Sequence, residues 1–199
     1  MTVVITPVGT SLFTNGGEHN FHIKDLFADI KDLRDSDWGS WEDQITNLKN
    51  ESESFILEKN VSASAELQST YTILENLEGN ITVCLFASDT IASRLAAEIL
   101  QENSCVLGNR VSIEFNYPND VIRGLQVTDP VEFLKDGVPN LKQWLFNIHN
   151  KNPANNQNLA INITGGFAAT VPCLTIFASP CKIPLYYNFE NATTLINLL

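Results

Sequence analysis

The chain has 199 residues, of which 44% are hydrophobic and 18% are charged, and its net charge at pH 7 is −11. This length fits one α/β domain, and the acidity argues against DNA or RNA as a partner, because nucleic-acid binding depends on lysine and arginine neutralising phosphates. No apolar run reaches the roughly 18 residues that a membrane helix needs, so we expect no association with a membrane.

The amino terminus predicts a buried strand followed by a turn that faces a ligand. Val3–Thr6 is a short β-branched run, and a loop containing Gly9, Thr10 and Ser11 comes after it. The segment Met1–Ile5 is typical of a core strand rather than of a signal peptide, so we expect a cytoplasmic protein. The Ser11 hydroxyl either caps a helix start or bonds to a phosphate or ribose of a ligand.

Residues 23–50 predict a region that is helical or partly helical. Apolar residues recur at helical spacing from Ile23 onward, and an acidic patch that contains tryptophan follows at residues 35–43. Ser62 is expected to cap a further helix, which continues through Leu74.

A second strand–turn–helix unit follows. Residues 80–87 are a continuous apolar run of the kind found in buried parallel strands, and Ser88, Asp89 and Thr90 are expected to cap a helix at residues 91–101. Because ligands of α/β proteins bind at the carboxyl ends of the strands, these three residues are also candidates for binding a ribose or a base.

The middle of the chain is less regular. Val111–Phe115 predicts a strand near an edge, residues 121–127 are irregular, and Asp129 precedes a helix with proline in its first turn. A polar loop is expected at residues 150–158. Arg123 is either a surface arginine or a cation that clamps a phosphate.

A second glycine turn follows the predicted central strand Leu159–Ile163. Thr164, Gly165 and Gly166 lead from this strand into a predicted helix at residues 168–177. Glycines allow a tight turn and a close approach to a ligand, and a helix start offers N–H groups and the positive end of its dipole to an anion. Two such turns at the carboxyl ends of parallel strands would face one crevice.

Two more strands are expected, at residues 183–189 and 193–198. The alternation of strands and helices predicts an α/β fold with a doubly wound, mostly parallel Rossmann-like sheet and helices on both faces. The apolar end of the sequence leaves open that a further domain follows.

Several motifs of known chemistry are missing from the sequence. Neither glycine turn matches G-x-G-x-x-G or a P-loop, and no G-x-S-x-G occurs, so we expect no cofactor. The four cysteines form no C-x-x-C pair and are expected to be reduced, with Cys84 and Cys173 buried. His19 and His22 are either half of a metal site or a polar loop edge, and we expect no metal.

Four segments together resemble a known family. Val4–Ser11, Ser64–Leu67, Gly124–Gln126 and Asn162–Phe167, in this order and spacing, resemble the CRISPR-associated Rossmann-fold (CARF) family, especially its ring-nuclease-like branch, over nearly the whole chain. The resemblance implies a homodimer whose two crevices join into one symmetric pocket for a cyclic oligoadenylate, the second messenger of type III CRISPR systems. It also implies that the domain either switches a fused C-terminal effector domain or cleaves the ring.

The resemblance implies roles for individual residues. Ser11 matches the serine near the scissile phosphate, and Arg123 would be the remaining cation near the pocket. Ala168 stands where many ring-cleaving relatives carry lysine, so the candidate catalytic positions are Ser11, Arg123 and Ala168. The candidate ligand-binding residues are Gly9, Thr10, Ser11, Asn15, Ser88, Asp89, Thr90, Gln126, Thr164, Gly165, Gly166 and Phe167.

Three functions stay open at this point. The first is a sensor that binds cyclic tetra-adenylate with weak or no cleavage, since losing one donor to the developing charge costs about 10²- to 10³-fold in rate. The second is an active, metal-independent ring nuclease in which a ribose 2′-hydroxyl attacks the neighbouring phosphate. The third is a flavodoxin-like or other nucleotide-binding enzyme that is unrelated to CRISPR defence.

Overall fold

The computed structural model describes residues 1–125, 128–151, 158–189 and 194–199. Within these residues, one sheet contains the strands β1 (Thr2–Val8), β2 (Ile81–Ser88), β3 (Val111–Glu114), β4 (Val121–Ile122), β5 (Leu159–Asn162), β6 (Leu185–Asn188) and β7 (Leu195–Asn197). The strand order is β3-β2-β1-β5-β6-β7, and β4 pairs with the end of β2.

The sheet is parallel except for β7, which runs antiparallel to β6. The strands β1 and β5 are neighbours at its centre, with Ile5 opposite Ile161. From β1 the chain first builds β2, β3 and β4 on one side and then crosses to β5 on the other side. The order of the strands therefore reverses between β1 and β5, which is where open α/β sheets form a crevice for ligands. This arrangement confirms the predicted doubly wound, mostly parallel fold.

The described helices surround the sheet. They are α1 (Ser11–His19), α2 (Phe21–Ile30), α3 (Glu42–Lys59), α4 (Ala65–Glu75), α5 (Ile91–Glu102), α6 (Pro130–Glu132), α7 (Val138–Lys151) and α8 (Thr170–Cys181), with short 3₁₀ helices at Asp35–Ser40, Asn60–Ala63 and Ser104–Leu107 and a π-helix at Phe133–Gly137. Among the described residues, no helix combines the length and the apolar character that a membrane crossing requires.

The two faces of the sheet carry two separate cores. Along β1, Val4 and Val8 face a core that includes residues of α1 to α5, whereas Val3 and Ile5 face a core that includes residues of α7 and α8. This alternation follows from the two-residue period of a strand, and it is why β1 contains apolar side chains in both registers. The helices thus cover both faces, as the sequence predicts.

A helix start after β1 was one of the two alternatives for Ser11, and the structure has α1 there although Asn15, Gly16 and Gly17 are poor helix formers. The helix is stabilised by packing instead. A Cβ on Gly16 would lie 3.0 Å from Cδ1 of Ile23, so the glycine lets α1 and α2 approach closely. Ser11 is the first residue of α1 and Thr10 occupies the cap position, so the alternative in which Ser11 caps this helix is wrong.

The predicted cap of α4 was wrong by two residues. Ser64, and not Ser62, begins the helix, because its side chain accepts a hydrogen bond of 3.1 Å from the backbone N–H of Leu67. The polar loop predicted at residues 150–158 is shorter at its start, since α7 runs through Lys151, and residues 152–157 lie outside the described part.

Other predictions about helix starts, an edge strand and buried cysteines are confirmed. Thr90 caps α5 by accepting a hydrogen bond from the N–H of Ser93, and Asp129 caps α6 by accepting from the N–H groups of Val131 and Glu132. The strand predicted near an edge is β3, which is the outer strand of the sheet on that side. Cys84 and Cys173 are buried and free of disulfide bonds.

Candidate ligand-binding site

A cavity of about 340 Å³ opens at the carboxyl ends of β1, β2 and β5. It therefore lies beside the point where the strand order reverses. Its walls are formed by Val8, Gly9, Thr10, Phe27, Lys31, Asp32, Ser88, Thr90, Ser93, Gly166, Phe167 and Ala168. The two glycine turns and the start of the second strand–turn–helix unit thus line one space.

The two glycine turns are in direct contact. A Cβ on Gly9 would lie 3.1 Å from both the backbone N and the Cα of Gly166, so any larger residue at position 9 would push the turns apart. Gly166 itself has a φ of +82°, a conformation that side chains with a Cβ rarely adopt. The backbone of Gly9 and Gly166 therefore forms the floor of the cavity.

Helices α1 and α8, which begin at the cavity, have no side-chain cap. Thr10 and Ala169 occupy their cap positions, and neither side chain bonds to the first turn. By contrast, Ser64, Thr90 and Asp129 cap helices α4, α5 and α6 with side-chain oxygens. The first N–H groups of a helix require an acceptor. At the start of α8, the N–H groups of Thr170 and Val171 already donate to the carbonyls of Phe167 and Ala168. Of these two helix starts, that of α1 is therefore the one better suited to an anion.

A hydroxyl network joins the end of β2 to the end of β1. The Ser93 hydroxyl donates to the carbonyl of Val8 at 2.8 Å and accepts from the N–H of Ser88 at 3.0 Å. The hydroxyls of Ser88 and Thr90 are 3.1 Å apart. Because Val8, Ser88, Thr90 and Ser93 all line the cavity, this network fixes the shape of one wall.

The buried carboxylate of Glu66 lies beneath both glycine turns. Its Oε1 accepts a hydrogen bond of 2.9 Å from the N–H of Gly9, and its Oε2 accepts one of 2.5 Å from the hydroxyl of Ser11. A Cβ on Gly165 would lie 2.7 Å from Oε1, so only glycine fits there without displacing the carboxylate. Glu66 occupies the second position of α4, where a negative charge is favourable at the helix start.

The cavity carries charges of both signs at one rim. Lys31 and Asp32, which directly follow α2, are the charged residues among its lining residues in the described part of the chain. Nearby, Arg34 forms an ion pair with Glu132 through its two terminal guanidinium nitrogens, at 2.9 and 2.5 Å. The hydrogen bond and charge of Glu132 raise the pKa of Arg34, and the same hydrogen bond lowers the pKa of Glu132.

An aromatic contact bounds another side of the cavity. The rings of Phe167 and Phe133 meet edge to face with their centroids 5.7 Å apart. Phe133 begins the π-helix, directly after the Glu132 that pairs with Arg34. The segment around α6 is thus held to the site by one ring contact and one ion pair.

Several predicted site residues lie away from this cavity and bond elsewhere. The carboxylate of Asp89 accepts from the N–H of Gly124 at 2.9 Å, and the amide of Asn15 donates to the carbonyl of Ala63 at 3.2 Å. The hydroxyl of Thr164 accepts from the N–H of Asn188 at 2.8 Å. These three side chains therefore bond to backbone groups of the protein outside the cavity lining.

Arg123 is exposed after β4 and is not among the residues that line the cavity. Its carbonyl accepts a hydrogen bond from Asn140. Gln126 lies outside the described residues. The structure thus brings together Gly9, Thr10, Ser88, Thr90, Gly166, Phe167 and Ala168 of the predicted set around one space, with Ser11 and Gly165 adjacent through Glu66.

Sequence reasoning missed Phe27, Lys31 and Asp32. They carry no motif, and only their place at the end of an amphipathic helix could have suggested that they face a common surface. Glu66 belonged to a segment that the sequence analysis singled out, but its bond to Ser11 was not foreseen. Within the described residues, no three histidines, cysteines or acids are grouped so that they could hold a metal ion.

The fold and the cavity define a Rossmann-like α/β protein with its candidate ligand site at the reversal of strand order. Residues 61–198 match the family model described as CRISPR-associated protein (Cas_APE2256). This match spans more than half of the chain, which therefore belongs to this CRISPR-associated family. It includes Glu66 and the second glycine turn, whereas Gly9 to Ser11 precede it. No curated relative matches the chain at a significant level.

Proposed function

We propose that the chain forms a homodimeric sensor that binds a cyclic oligoadenylate, most simply cyclic tetra-adenylate, in CRISPR antiviral signalling, and that its ring cleavage is weak or absent. One observation carries the proposal: two glycine turns in contact and the start of α1, which has no side-chain cap, meet at a single cavity. That arrangement is suited to phosphate groups. Membership of a CRISPR-associated family supports the choice of this ligand class.

The volume of the cavity supports a ligand that two subunits bind together. At about 340 Å³ it is at the lower end of the roughly 300–1,000 Å³ typical of small-molecule sites. It has space for about one nucleotide unit and is too small for a ring of four. A ring with two-fold symmetry would be accommodated by two such cavities facing each other, with each subunit making the same contacts.

The charge of the chain supports a small, enclosed anion over a long polymer. With a net charge of −11, the protein has little general attraction for nucleic acid. The phosphates would instead be held by backbone N–H groups, by hydroxyls such as that of Thr10, and by Lys31 at the rim. Main-chain N–H groups bind a phosphate at short range, so the overall negative charge of the protein does not prevent this binding.

Weak cleavage follows from Ala168, which is exposed and lines the cavity. A lysine at this position would place a cation where charge develops on the attacked phosphate. Without it, we expect cleavage to be slower by about 10²- to 10³-fold.

Calorimetric titration with cyclic tri-, tetra- and hexa-adenylate tests the binding proposal, and linear tetra-adenylate is the matched control. We expect one ring to bind per two chains, and sedimentation to show a dimer. Absence of heat with every ring, or a monomer that binds mononucleotides more tightly than rings, would contradict it. The second result would favour the unrelated nucleotide-binding enzyme.

Cleavage is tested with Ala168→Lys, which should increase the rate at which linear products form. Thr175→Lys is the matched control, because it adds the same charge to an exposed position farther along α8. If the unchanged protein cleaves the ring rapidly and Ala168→Lys adds nothing, the chain is an active ring nuclease instead.

A further inference from the structure

The environment of Glu66 differs from that of other acids in the described part of the chain. Glu66 is only 3% exposed, and it is the one charged residue among the buried polar residues of the described part. A buried carboxylate needs hydrogen-bond donors, and Glu66 obtains them from the Gly9 N–H and the Ser11 hydroxyl. Both donors belong to the turn that begins the candidate site.

These contacts fix the direction of the Ser11 hydroxyl. A carboxylate can only accept, so Ser11 must give its single proton to Glu66. The backbone N–H of Ala65 can only donate, and it bonds to the Ser11 oxygen at 2.9 Å. A hydroxyl has one proton and two lone pairs, so one lone pair remains for a third partner. Ser11 is half-buried and directly follows Gly9 and Thr10, which line the cavity.

We propose that Glu66 is a positioning residue that makes Ser11 an acceptor toward the ligand, and that Ser11 thereby recognises a ribose 2′-hydroxyl. The inference rests on the proposed function. A phosphate oxygen at pH 7 has no proton, so it would meet the remaining lone pair of Ser11 unfavourably. A ribose hydroxyl donates a proton and fits. The site would accordingly select ribonucleotide rings over 2′-deoxy rings.

The neighbouring residue, Thr10, fits the complementary role. Its side chain makes no capping hydrogen bond and lines the cavity. Its hydroxyl is therefore oriented by no contact comparable to that between Ser11 and Glu66, and it can donate to a phosphate oxygen. The Ser11 hydroxyl would then bind the ribose of one nucleotide, and the Thr10 hydroxyl would bind its phosphate.

The test compares binding of cyclic tetra-adenylate with that of its all-2′-deoxy counterpart by calorimetry. The unchanged protein should prefer the ribonucleotide ring by about 100-fold, because each of the two subunits loses one hydrogen bond and each loss weakens binding about tenfold. In Glu66→Gln the side-chain amide can donate to Ser11, which frees the Ser11 proton, so the preference should fall below about twofold. Glu75→Gln, at an exposed position of the same helix, is the control and should keep the preference.

Ser11→Ala provides a second variant in case Glu66→Gln does not fold. It removes the hydroxyl and leaves the carboxylate bonded to Gly9, so it should also lose the preference while still binding both rings. Equal binding of the two rings by the unchanged protein, or an undiminished preference in either variant, would overturn this inference alone. Absence of binding to both rings would overturn the proposed function itself.

Discussion

The backbones of Gly9 and Gly166 touch where the loops after β1 and β5 meet, with a Cβ on Gly9 placed only 3.1 Å from the Cα of Gly166. Position 166 is restricted to glycine as well. A Cβ on Gly166 would lie 2.5 Å from the Cβ of Pro7, and the residue that carries it would have to adopt a φ of +82°. The floor of the candidate site therefore depends on two glycines that are far apart in the sequence.

Gly166→Ala should lower the free energy of unfolding by about 2–4 kcal/mol, because it combines a left-handed backbone with a steric overlap. Gly79→Ala is the matched control. Gly79 has a φ of +80°, close to that of Gly166, but a Cβ there would meet no atom within 4 Å. That variant should lose only the backbone cost, about 1 kcal/mol. Urea unfolding measures both, and equal losses would mean that the contact with Pro7 relaxes freely.

Lys31 should contribute more to ligand binding than Arg123, since Lys31 lines the cavity and Arg123 does not. Lys31→Ala is expected to weaken binding of cyclic tetra-adenylate about threefold, which is the usual scale for one exposed charge. Arg123→Ala should leave the dissociation constant unchanged within error. Calorimetry on the two variants makes the comparison, and a larger loss for Arg123→Ala would restore the role that the sequence resemblance gives it.

The sheet and the site floor could be predicted because their signals are local. Apolar runs mark β2 and β5, and Thr164, Gly165 and Gly166 mark the turn after β5 whatever lies around them. The bond between Ser11 and Glu66 joins residues 55 positions apart, so it becomes visible only when α4 is placed against the end of β1. The course of α1 through Gly16 could not be predicted for a similar reason, because the close packing of this glycine on Ile23 exists only once α1 and α2 are in contact.

Arg94 is held between two aromatic rings, with its guanidinium carbon 3.7 Å from the Trp38 centroid and 3.6 Å from the Tyr117 centroid. It also donates to Asp35 and Glu98, at 2.8 Å each. Burial lowers the pKa of Arg94, but the hydrogen bonds and charges of the two acids outweigh burial and raise it. The arginine thereby fixes the 3₁₀ segment Asp35–Ser40 against α5.

Arg94→Lys should lower the free energy of unfolding by about 2 kcal/mol, because an ammonium neither stacks between two rings nor reaches both acids. The same change at an exposed arginine, Arg34→Lys, should cost less, since its pair with Glu132 is open to solvent. Urea unfolding compares the two. If Arg34→Lys is the more damaging substitution, the ring contacts of Arg94 contribute little.

Because of Cys84, the free energy of unfolding should decrease as the pH becomes alkaline. Burial, reinforced by the charges of Glu114 and Asp120, raises the pKa of its thiol from 9.0 to about 12. The unfolded chain loses this proton above about pH 9 while the folded chain keeps it, so the stabilisation is complete below pH 9 and is lost as the pH rises toward 12. The slope in that range is about 1.4 kcal/mol per pH unit.

Cys84→Ala removes this proton from both states. Between about pH 8 and about pH 10, the free energy of unfolding of the unchanged protein should therefore fall by about 1.4 kcal/mol more than that of the variant. Other titrating groups are common to both proteins and cancel in the difference. Cys105→Ala serves as the control, because Cys105 is exposed in the folded chain, and it should follow the unchanged protein. Parallel curves for Cys84→Ala and the unchanged protein would show that the Cys84 thiolate is tolerated in the folded core.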